Sequence, residues 1–274
     1  MNSYQTLPQN IDPIAFSIGP IHIQWYALMW LTAFVVVYIL LVWRIKKGEG
    51  FGYDKDFIQD LLFYGFLGAL IGGRLGYVLF YDPSYYSSQP LLIISPYDFD
   101  RGVWTGIYGM SYHGGVIGAI VALFIFSRRK KMALLPLVDF IIPAIPLGYF
   151  FGRLGNFLNN ELFGRVTTSS LGMYFDSMTF LRHPSQLYEA FFEGIVLFVI
   201  LWTLRNKTKF PGYLAALYIC GYAIIRFFVE FTRAPDAHLG LFGGILSMGQ
   251  ILSMSMFVVG TIFYVWAKKR ANKE

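Results

Sequence analysis

Seven long apolar stretches divide this 274-residue chain, and they limit its possible folds more than any other feature. They cover residues 21–42, 57–80, 112–126, 134–151, 187–204, 213–231 and 245–266. A helix needs about 20 apolar residues to cross a bilayer, and each stretch reaches or approaches that length. The third is short unless residues 105–111 extend it, and Pro143 and Pro146 should interrupt the fourth. The pattern predicts an all-α polytopic membrane protein with seven transmembrane helices.

The composition excludes several other classes of protein. Only 14% of the residues are charged and 56% are hydrophobic, whereas an ordinary soluble domain carries about 25% charged residues. Disorder is excluded by the same figures, and a single cysteine, Cys220, excludes a disulfide-stapled secreted fold. We expect Cys220 to be a packed apolar residue. No Lys or Arg precedes Arg44, so we expect the first stretch to be retained rather than cleaved as a signal peptide.

The basic residues predict the orientation of the chain in a membrane. Fifteen of the 22 follow the first, third, fifth and seventh stretches, and every Lys is among them. By the positive-inside rule these ends are cytoplasmic, which places the N-terminus outside and the C-terminus inside. The net charge of +6 follows from these clusters, so it does not indicate nucleic-acid binding. Seven arginines remain, in the membrane or towards its outer face: Arg74, Arg101, Arg153, Arg165, Arg182, Arg226 and Arg233.

In that topology, polar and ionisable residues gather at the outer level of the helices. An ionisable residue in a membrane costs about 2.5–3.5 kcal/mol on insertion scales, so each needs a structural or functional reason. Arginine grips phosphate with a planar, bidentate fork, and an outer-leaflet phospholipid is the nearest source of phosphate. The pattern predicts a headgroup site. Its candidates are Tyr26, Arg74, His113, Arg153, Asn156, Asn159, Glu161, Tyr222, Arg226, Glu230 and Arg233.

Several charged residues have a simpler interpretation that the sequence leaves open. Arg226 and Glu230 are four residues apart and could neutralise each other. We expect Asp139 to bond a neighbouring helix, and we favour a structural role for the Glu189 and Glu193 pair. Arg101, Arg165 and Arg182 have the character of ordinary loop charges. The glycines at steps of four are predicted to let helices approach closely: Gly68, Gly72 and Gly76, Gly114 and Gly118, and Gly148 and Gly152.

The sequence lacks the residue patterns that several other kinds of chemistry require. The four histidines, His22, His113, His183 and His238, form no close ligand pair, so we expect no catalytic metal. A Walker-type glycine loop is missing from the sequence. Ser111 lies two residues from His113, but the nucleophile-elbow pattern of a Ser/His hydrolase is also missing.

One segment resembles a known family signature. Residues 152–164, GRLGNFLNNELFG, match the signature of the bacterial prolipoprotein diacylglyceryl transferases at every position. Further resemblance covers residues 17–20 (SIGP), 25–26 (WY), 111–115 (SYHGG), 182–189 (RHPSQLYE) and 247–252 (SMGQIL). The matches extend over nearly the whole chain, and their order and number make the resemblance highly specific.

The resemblance implies a reaction at the outer face of the bacterial plasma (inner) membrane. The family moves the diacylglyceryl group of phosphatidylglycerol to the lipobox cysteine of a prolipoprotein, forming a thioether and releasing glycerol phosphate. It implies seven helices in a single domain, residues 1–274, with a small outer head at residues 152–186. We expect no cofactor, and phosphatidylglycerol, prolipoproteins and the membrane as the partners.

The resemblance also assigns roles to residues. By position, His113 matches the family's essential histidine, and Arg153 and Arg226 match its phospholipid-binding arginines. Tyr26, Asn156, Glu161, Gly164 and Tyr222 match residues around them, and we add Asn159, Glu230 and Arg233 as substrate-binding candidates. His113 either takes the thiol proton as a general base or only orients a substrate. A lipid transporter and a non-catalytic receptor stay open as alternative classes, because either could carry arginines near the outer face.

Overall fold

The computed structural model describes residues 3–19, 21–50, 52–95, 97–98, 102–104, 109–176, 178–234 and 240–273, so Arg101 and His238 lie outside the described residues. The described chain is mostly helical. Its helices are α1 (Trp25–Lys46), α2 (Lys55–Phe80), α3 (Pro83–Ser88), α4 (Tyr112–Arg129), α5 (Leu134–Ile141), α6 (Ile145–Leu158), α7 (Ser185–Glu189), α8 (Leu197–Leu204), α9 (Tyr213–Val229) and α10 (Met248–Ala271). Short antiparallel strand pairs join β1 (Ile14–Ile18) to β2 (Ile21–Gln24), β3 (Tyr97–Asp98) to β4 (Val103–Trp104), and β5 (Leu241–Phe242) to β6 (Leu246–Ser247).

Each of the seven apolar stretches forms helix. Among the described residues, five helices are long and apolar enough to cross a membrane: Trp25–Lys46, Lys55–Phe80, Leu134–Leu158, Ser185–Leu204 and Met248–Ala271. The helix over Tyr213–Val229 is apolar but shorter, and α4 has 18 residues. The predicted boundary of the first stretch was wrong, because residues 21–24 pair with β1 and the helix starts at Trp25.

Two of the long helices contain irregular turns. A 3-10 segment, Ile142–Ala144, separates α5 from α6 at Pro143, as the sequence predicts, because a proline ring cannot fit the regular α-helical hydrogen bonding. A π-helical segment, Ala190–Val196, separates α7 from α8. Such segments change which residues share a helix face and often occur at functional sites. This one carries Glu193.

The helix over the third stretch does not include the residues that could have extended it. Helix α4 starts at Tyr112, because the Ser111 hydroxyl accepts a hydrogen bond from the Gly114 amide at 3.3 Å and caps the helix. Residues 109–111 are therefore outside the helix, and residues 105–108 lie outside the described part of the chain. Capping of α4 explains the presence of Ser111, so a catalytic role for this serine in a hydrolase is not needed.

The chain forms two compact units, Met1–Phe51 with Val138–Glu274, and Gly52–Leu137. In the first unit α1 packs on α6, α9 packs on α10, and α6 packs on the π-helical segment. Glycines of α6 allow the close contact between α1 and α6. A Cβ atom on Gly148 would lie 3.0 Å from Val37 Cγ2, and one on Gly155 would lie 3.2 Å from Tyr26 Cδ2.

Asp139 joins two helices of the first unit, which confirms its expected role. Its buried carboxylate accepts hydrogen bonds from the backbone amides of Gly212 at 2.7 Å and Ala215 at 3.0 Å. These amides belong to the start of α9, where unpaired N–H groups and the helix dipole favour a negative charge. Cys220 is half-buried and packs against α10, since a Cβ atom on Gly260 would lie 2.8 Å from its Sγ atom.

Glu49 ties the ends of α1 and α8 together. Its carboxylate accepts hydrogen bonds from Arg44 Nε at 2.8 Å, Arg205 Nε at 3.2 Å and Asn206 Nδ2 at 2.9 Å. Partial burial acts to raise the pKa of Glu49, but the hydrogen bonds from Asn206 and both arginines outweigh it and hold the pKa below its usual value. Arg44 and Arg205, two of the basic residues on which the predicted orientation depends, thus also form ion pairs with Glu49.

The second unit is built on close contact between α2 and α4. Gly68, Gly72 and Gly76 of α2 face Gly114 and Gly118 of α4, which confirms the predicted role of these glycines. A Cβ atom on Gly118 would overlap the carbonyl oxygen of Gly68, and one on Gly76 would lie 2.8 Å from Gly114 Cα. Any larger side chain along this line must push the two helices apart.

We predict that Gly118→Ala lowers the stability of the protein in detergent by about 1–3 kcal/mol, because overpacking forces the backbones of α2 and α4 apart. Gly65→Ala is the matched control, since a Cβ atom on this α2 glycine meets nothing within 4 Å. Thermal unfolding followed by tryptophan fluorescence measures both variants. Equal melting temperatures for Gly118→Ala and Gly65→Ala would contradict the close packing.

Candidate active site

A single buried carboxylate, Glu189, collects arginines from two helices and the turn after α9. Glu189 ends α7, and its side chain is fully buried. Its Oε2 atom lies 2.9 Å from Nε of Arg153 in α6 and 3.2 Å from Nη1 of Arg226 in α9. Its Oε1 atom accepts a hydrogen bond from Nη1 of Arg233, in the turn after α9. The position of all three guanidinium groups thus depends on one side chain.

Glu230 contacts two of the same arginines through guanidinium nitrogens that Glu189 does not use. It lies 2.8 Å from Nη2 of Arg226 and 3.2 Å from Nε of Arg233. The predicted Arg226–Glu230 pair is therefore present. The Ser247 hydroxyl donates a hydrogen bond to Glu230 Oε1 at 3.1 Å, and a Cβ atom on Gly249 would lie 2.5 Å from the carboxyl carbon. The SMGQ motif thus makes room for Glu230 at the start of α10.

Glu193, the third carboxylate, is linked to the others through Tyr149. The Tyr149 hydroxyl accepts a hydrogen bond from Arg153 Nε at 2.7 Å and lies 2.5 Å from Glu193 Oε2, to which it can donate. The same hydroxyl is 3.2 Å from Glu189 Oε2. Glu193 Oε1 is 3.8 Å from Arg226 Nη1 and accepts no hydrogen bond from any residue that the structure describes. Glu193 is thus the least supported of the three.

Six residues, Arg153, Arg226, Arg233, Glu189, Glu193 and Glu230, form what we call the arginine–glutamate cluster. Its carboxylate side chains are 0–7% exposed, whereas its arginine side chains are 16–19% exposed. The arginines are therefore the more accessible members of the cluster. Planar guanidinium groups suit the bidentate binding of phosphate or carboxylate oxygens.

The cluster continues into the segment that follows α6. Arg153 Nη1 donates to Asn156 Oδ1 at 3.2 Å, and Asn156 Nδ2 donates to Glu161 Oε1 at 2.8 Å. The Gln186 side chain then donates to the backbone oxygen of Glu161 at 2.6 Å. A continuous chain of polar contacts therefore connects the end of α6 with the start of α7.

Gly164 lies where two backbone segments meet. Its amide donates to the His183 carbonyl at 2.8 Å, and it forms a β-bridge with Arg233. A Cβ atom at this position would overlap the carbonyl oxygen of Thr232 and lie 2.9 Å from that of His183. Only glycine fits here, so the backbone of Arg233 can be held against residue 164.

Two arginines expected to be ordinary loop charges instead bind the backbone of this region. Arg165 Nε donates to the carbonyl of Arg233 at 2.6 Å. Arg182 Nη1 donates to the carbonyl of Gly164 at 2.9 Å, and its guanidinium lies over the rings of Phe163 and Phe180. The expectation was wrong because loop position alone does not reveal which carbonyl groups a side chain can reach.

Comparison with known proteins identifies the family. The family model described as prolipoprotein diacylglyceryl transferase matches residues 13–266. The chain belongs to this family. A protein of Chlorobaculum tepidum named phosphatidylglycerol–prolipoprotein diacylglyceryl transferase is 52% identical, over 98% of this chain and 94% of its own. Proteins with the same name from Bordetella avium and Vibrio campbellii are 46% and 47% identical, over 96% and 95% of this chain and 97% and 92% of their own.

Most predicted site residues of this diacylglyceryl transferase family member lie in the first unit. Arg153, Asn156, Arg226, Glu230 and Arg233 are linked by the contacts described above, with Glu161 bonded to Asn156 and Gly164 paired with Arg233. Asn159 Oδ1 accepts a hydrogen bond from the Tyr26 amide at 3.3 Å, which joins the end of α6 to the start of α1. The Tyr222 ring meets the Tyr149 ring edge-on at a centroid distance of 6.0 Å.

His113 and Arg74 belong to the second unit. His113 is exposed on the first turn of α4, beside the Tyr112 ring. Arg74 is buried, and it donates hydrogen bonds to the backbone carbonyls of Leu92, Ile93 and Gly109. This arginine therefore holds the backbone of residues 92, 93 and 109 beside α2.

Sequence reasoning favoured a structural role for Glu189 and Glu193, which fits the contacts of Glu189 with three arginines. It did not predict these partners, and it did not single out Tyr149. The available signal was the presence of two carboxylates four residues apart in an otherwise apolar helix, where unpaired charges are costly. In the described residues no group of three or more His, Cys, Asp or Glu side chains is arranged to hold a metal ion.

We predict that Glu189→Gln destabilises the protein by about 3–5 kcal/mol, because a buried charge that contacts three arginines is lost. Glu193→Gln is the comparison, since glutamine can still accept the Tyr149 hydrogen bond, and we expect it to cost less. The melting temperatures of both variants in detergent provide the measurement. If Glu193→Gln were the more damaging of the two, Glu189 would not be the centre of the cluster.

Proposed function

We propose that this protein transfers the diacylglyceryl group of phosphatidylglycerol to the lipobox cysteine of prolipoproteins, the first step of bacterial lipoprotein maturation. The products are a thioether-linked prolipoprotein and glycerol phosphate. Family membership and the names of the relatives support the reaction. The observation that carries the assignment of the site is that three arginine side chains stay partly exposed while the carboxylates that contact them are buried, because such guanidinium groups can bind a phosphate.

The proposal includes an orientation in the bacterial inner membrane. The chain is a single membrane domain of seven transmembrane helices, with its N-terminus outside, its C-terminus in the cytoplasm and residues 152–186 as an outer head. Among the described residues, five helices have the length and apolarity of spans, and α4 and α9 lie over the other two stretches. The basic clusters at the ends of α1, α4, α8 and α10 favour a cytoplasmic position for these ends.

In this proposal Arg153 and Arg226 bind the phosphate of phosphatidylglycerol, and Arg233 completes the positive rim. The buried glutamates fix the guanidinium groups in advance, so less side-chain entropy is lost on binding. The remaining substrate contacts come from residues around the rim: Tyr26, Asn156, Asn159, Glu161, Gly164, Tyr222 and Glu230.

The reaction is a displacement at the glyceryl carbon next to the phosphate. The substrate sulfur forms a bond to this carbon while the carbon–oxygen bond to phosphate breaks, and the leaving phosphate keeps the electron pair. A thiol is a weak nucleophile, so its proton must leave, and His113 accepts it as general base. The arginines stabilise the negative charge that grows on the phosphate. If His113 only orients the substrate, the arginines and the thiolate still account for the displacement.

We predict that Arg153→Lys lowers turnover by about 100-fold or more, because an ammonium group cannot replace the planar fork at the leaving phosphate. Arg129→Lys is the control. This exposed arginine of α4 lies in the second unit, where it donates a hydrogen bond to Tyr64. The assay incubates isotope-labelled phosphatidylglycerol with a lipobox peptide and detects the added diacylglyceryl group by mass spectrometry. Full turnover in Arg153→Lys would rule out a bidentate phosphate contact. Movement of labelled lipid across a liposome membrane without any modified peptide would favour a transporter.

We predict that His113→Gln lowers turnover by about 100-fold and changes its pH profile, because glutamine cannot accept the thiol proton in place of the imidazole. The pH profile is measured with the same peptide assay for wild type and variant. The variant His22→Gln, which changes a histidine of β2, is the control and should keep the wild-type profile. An active His113→Gln with an unchanged profile would exclude His113 from proton transfer.

A further inference from the structure

The arginine–glutamate cluster contains as many carboxylates as guanidinium groups. Arg153, Arg226 and Arg233 face Glu189, Glu193 and Glu230, so the cluster is neutral when all six side chains are ionised. A net charge buried among apolar helices is costly, which favours this balance before a lipid arrives. The cluster is therefore not a store of free positive charge.

A phosphodiester headgroup disturbs this balance. It brings one negative charge, so the cluster with its lipid would carry an excess negative charge unless another charge changes. The carboxylates are closed to solvent, with side chains 0–7% exposed, so water can do little to stabilise the excess. Protonation of one carboxylate restores neutrality without moving any helix.

Protonation of Glu193 would weaken fewer favourable contacts than protonation of Glu189 or Glu230. Glu189 contacts three arginines, and Glu230 contacts two arginines and the Ser247 hydroxyl. Glu193 has only the Tyr149 hydroxyl and a 3.8 Å approach to Arg226, and its Oε1 atom accepts no hydrogen bond from a described residue.

The surroundings of Glu193 come from three helical elements. Helix α6 contributes Tyr149 and Arg153, α7 contributes Glu189, and α9 contributes Arg226. Behind them, Tyr222 packs on Tyr149, and Glu161 connects to Arg153 through Asn156. A lipid phosphate that binds the arginines weakens their support of Glu193 and adds a negative charge nearby. Both effects favour its protonated form.

From this geometry we infer that binding of an anionic phospholipid headgroup at the cluster is coupled to the uptake of one proton by Glu193. The inference rests on the proposed function, because it takes the lipid phosphate to bind these arginines. The proton comes from water and adds to the carboxylate oxygen, and no bond of the lipid changes. Glu193 is thus a charge-compensating residue that does not itself touch the substrate.

Proton uptake has a consequence for lipid affinity. When binding takes up one proton, the dissociation constant of the lipid rises by up to tenfold per pH unit. This rise applies at pH values where the lipid-free protein does not already carry that proton. Phosphatidylglycerol should therefore bind more weakly as the pH rises, although the charge on its phosphodiester does not change. A lipid whose headgroup has no net charge should not show this dependence.

Isothermal titration calorimetry with dihexanoyl phosphatidylglycerol tests the coupling in the full-length protein. Titrations in two buffers of different ionisation enthalpy give the number of protons taken up, and we expect about one per lipid near the steepest part of the pH dependence. Dihexanoyl phosphatidylcholine is the control and should give about zero. A count of zero for phosphatidylglycerol at every pH would overturn the inference.

Glu193→Gln tests the assignment to this residue. The variant should bind phosphatidylglycerol with an affinity that does not depend on pH and with no proton uptake. Asp60→Asn is the control, because this exposed carboxylate of α2 pairs only with Lys130 among the described residues and should leave proton uptake unchanged. Retained uptake in Glu193→Gln would show that another group takes the proton. If Glu193→Gln does not fold, Glu193→Asp should keep the uptake but shift its pH midpoint, and an unchanged midpoint would contradict the assignment.

The two proposals fail in different ways. If the wild-type protein binds no phosphatidylglycerol, or if Arg153→Lys binds it equally well, the proposed headgroup site is wrong. If the wild type binds the lipid with an affinity that is independent of pH, the headgroup site stands and only the proton coupling is wrong.

Discussion

The contact of buried Glu189 with three arginines is the interaction on which the rest of the first unit depends. It joins α6, α7 and the end of α9, and Glu230 and Ser247 extend it to α10. Three guanidinium groups could not lie this close in an apolar bundle without carboxylates among them, because their mutual repulsion and desolvation would be too costly. The arginine side chains of this contact stay partly exposed, and the proposed function depends on that exposure.

Sequence patterns predicted the helices well because apolar length and glycine spacing act within one helix or at one helix contact. The helices over the seven stretches and the close glycine contacts were predicted in this way. Asp139 was expected to bond a neighbouring helix, and the structure adds that its partners are amides at the start of α9. Segments outside the helices were harder to interpret. Residues 21–24 (IHIQ) alternate apolar and polar side chains and form a strand with β1, although they were counted with the first apolar stretch. Arg165 and Arg182 bind carbonyl groups that become neighbours only after folding.

The candidate site was predicted unevenly for the same reason. The family signature and the arginine count pointed to Arg153 and Arg226, and the structure places both against Glu189. The role of Glu189 could not be seen from spacing, since its partners are 36 to 44 residues away in the chain. Tyr149 gave no signal, because a tyrosine in an apolar helix is unremarkable until its hydroxyl is seen between two carboxylates and an arginine.

The most direct test of this account is a cryo-electron microscopy structure of the full-length protein with phosphatidylglycerol bound. The account predicts phosphate oxygens about 2.7–2.9 Å from guanidinium nitrogens of Arg153 and Arg226, with Glu189 still beneath them. A lipid phosphate bound elsewhere, with both arginines still directed only at their glutamates, would contradict it.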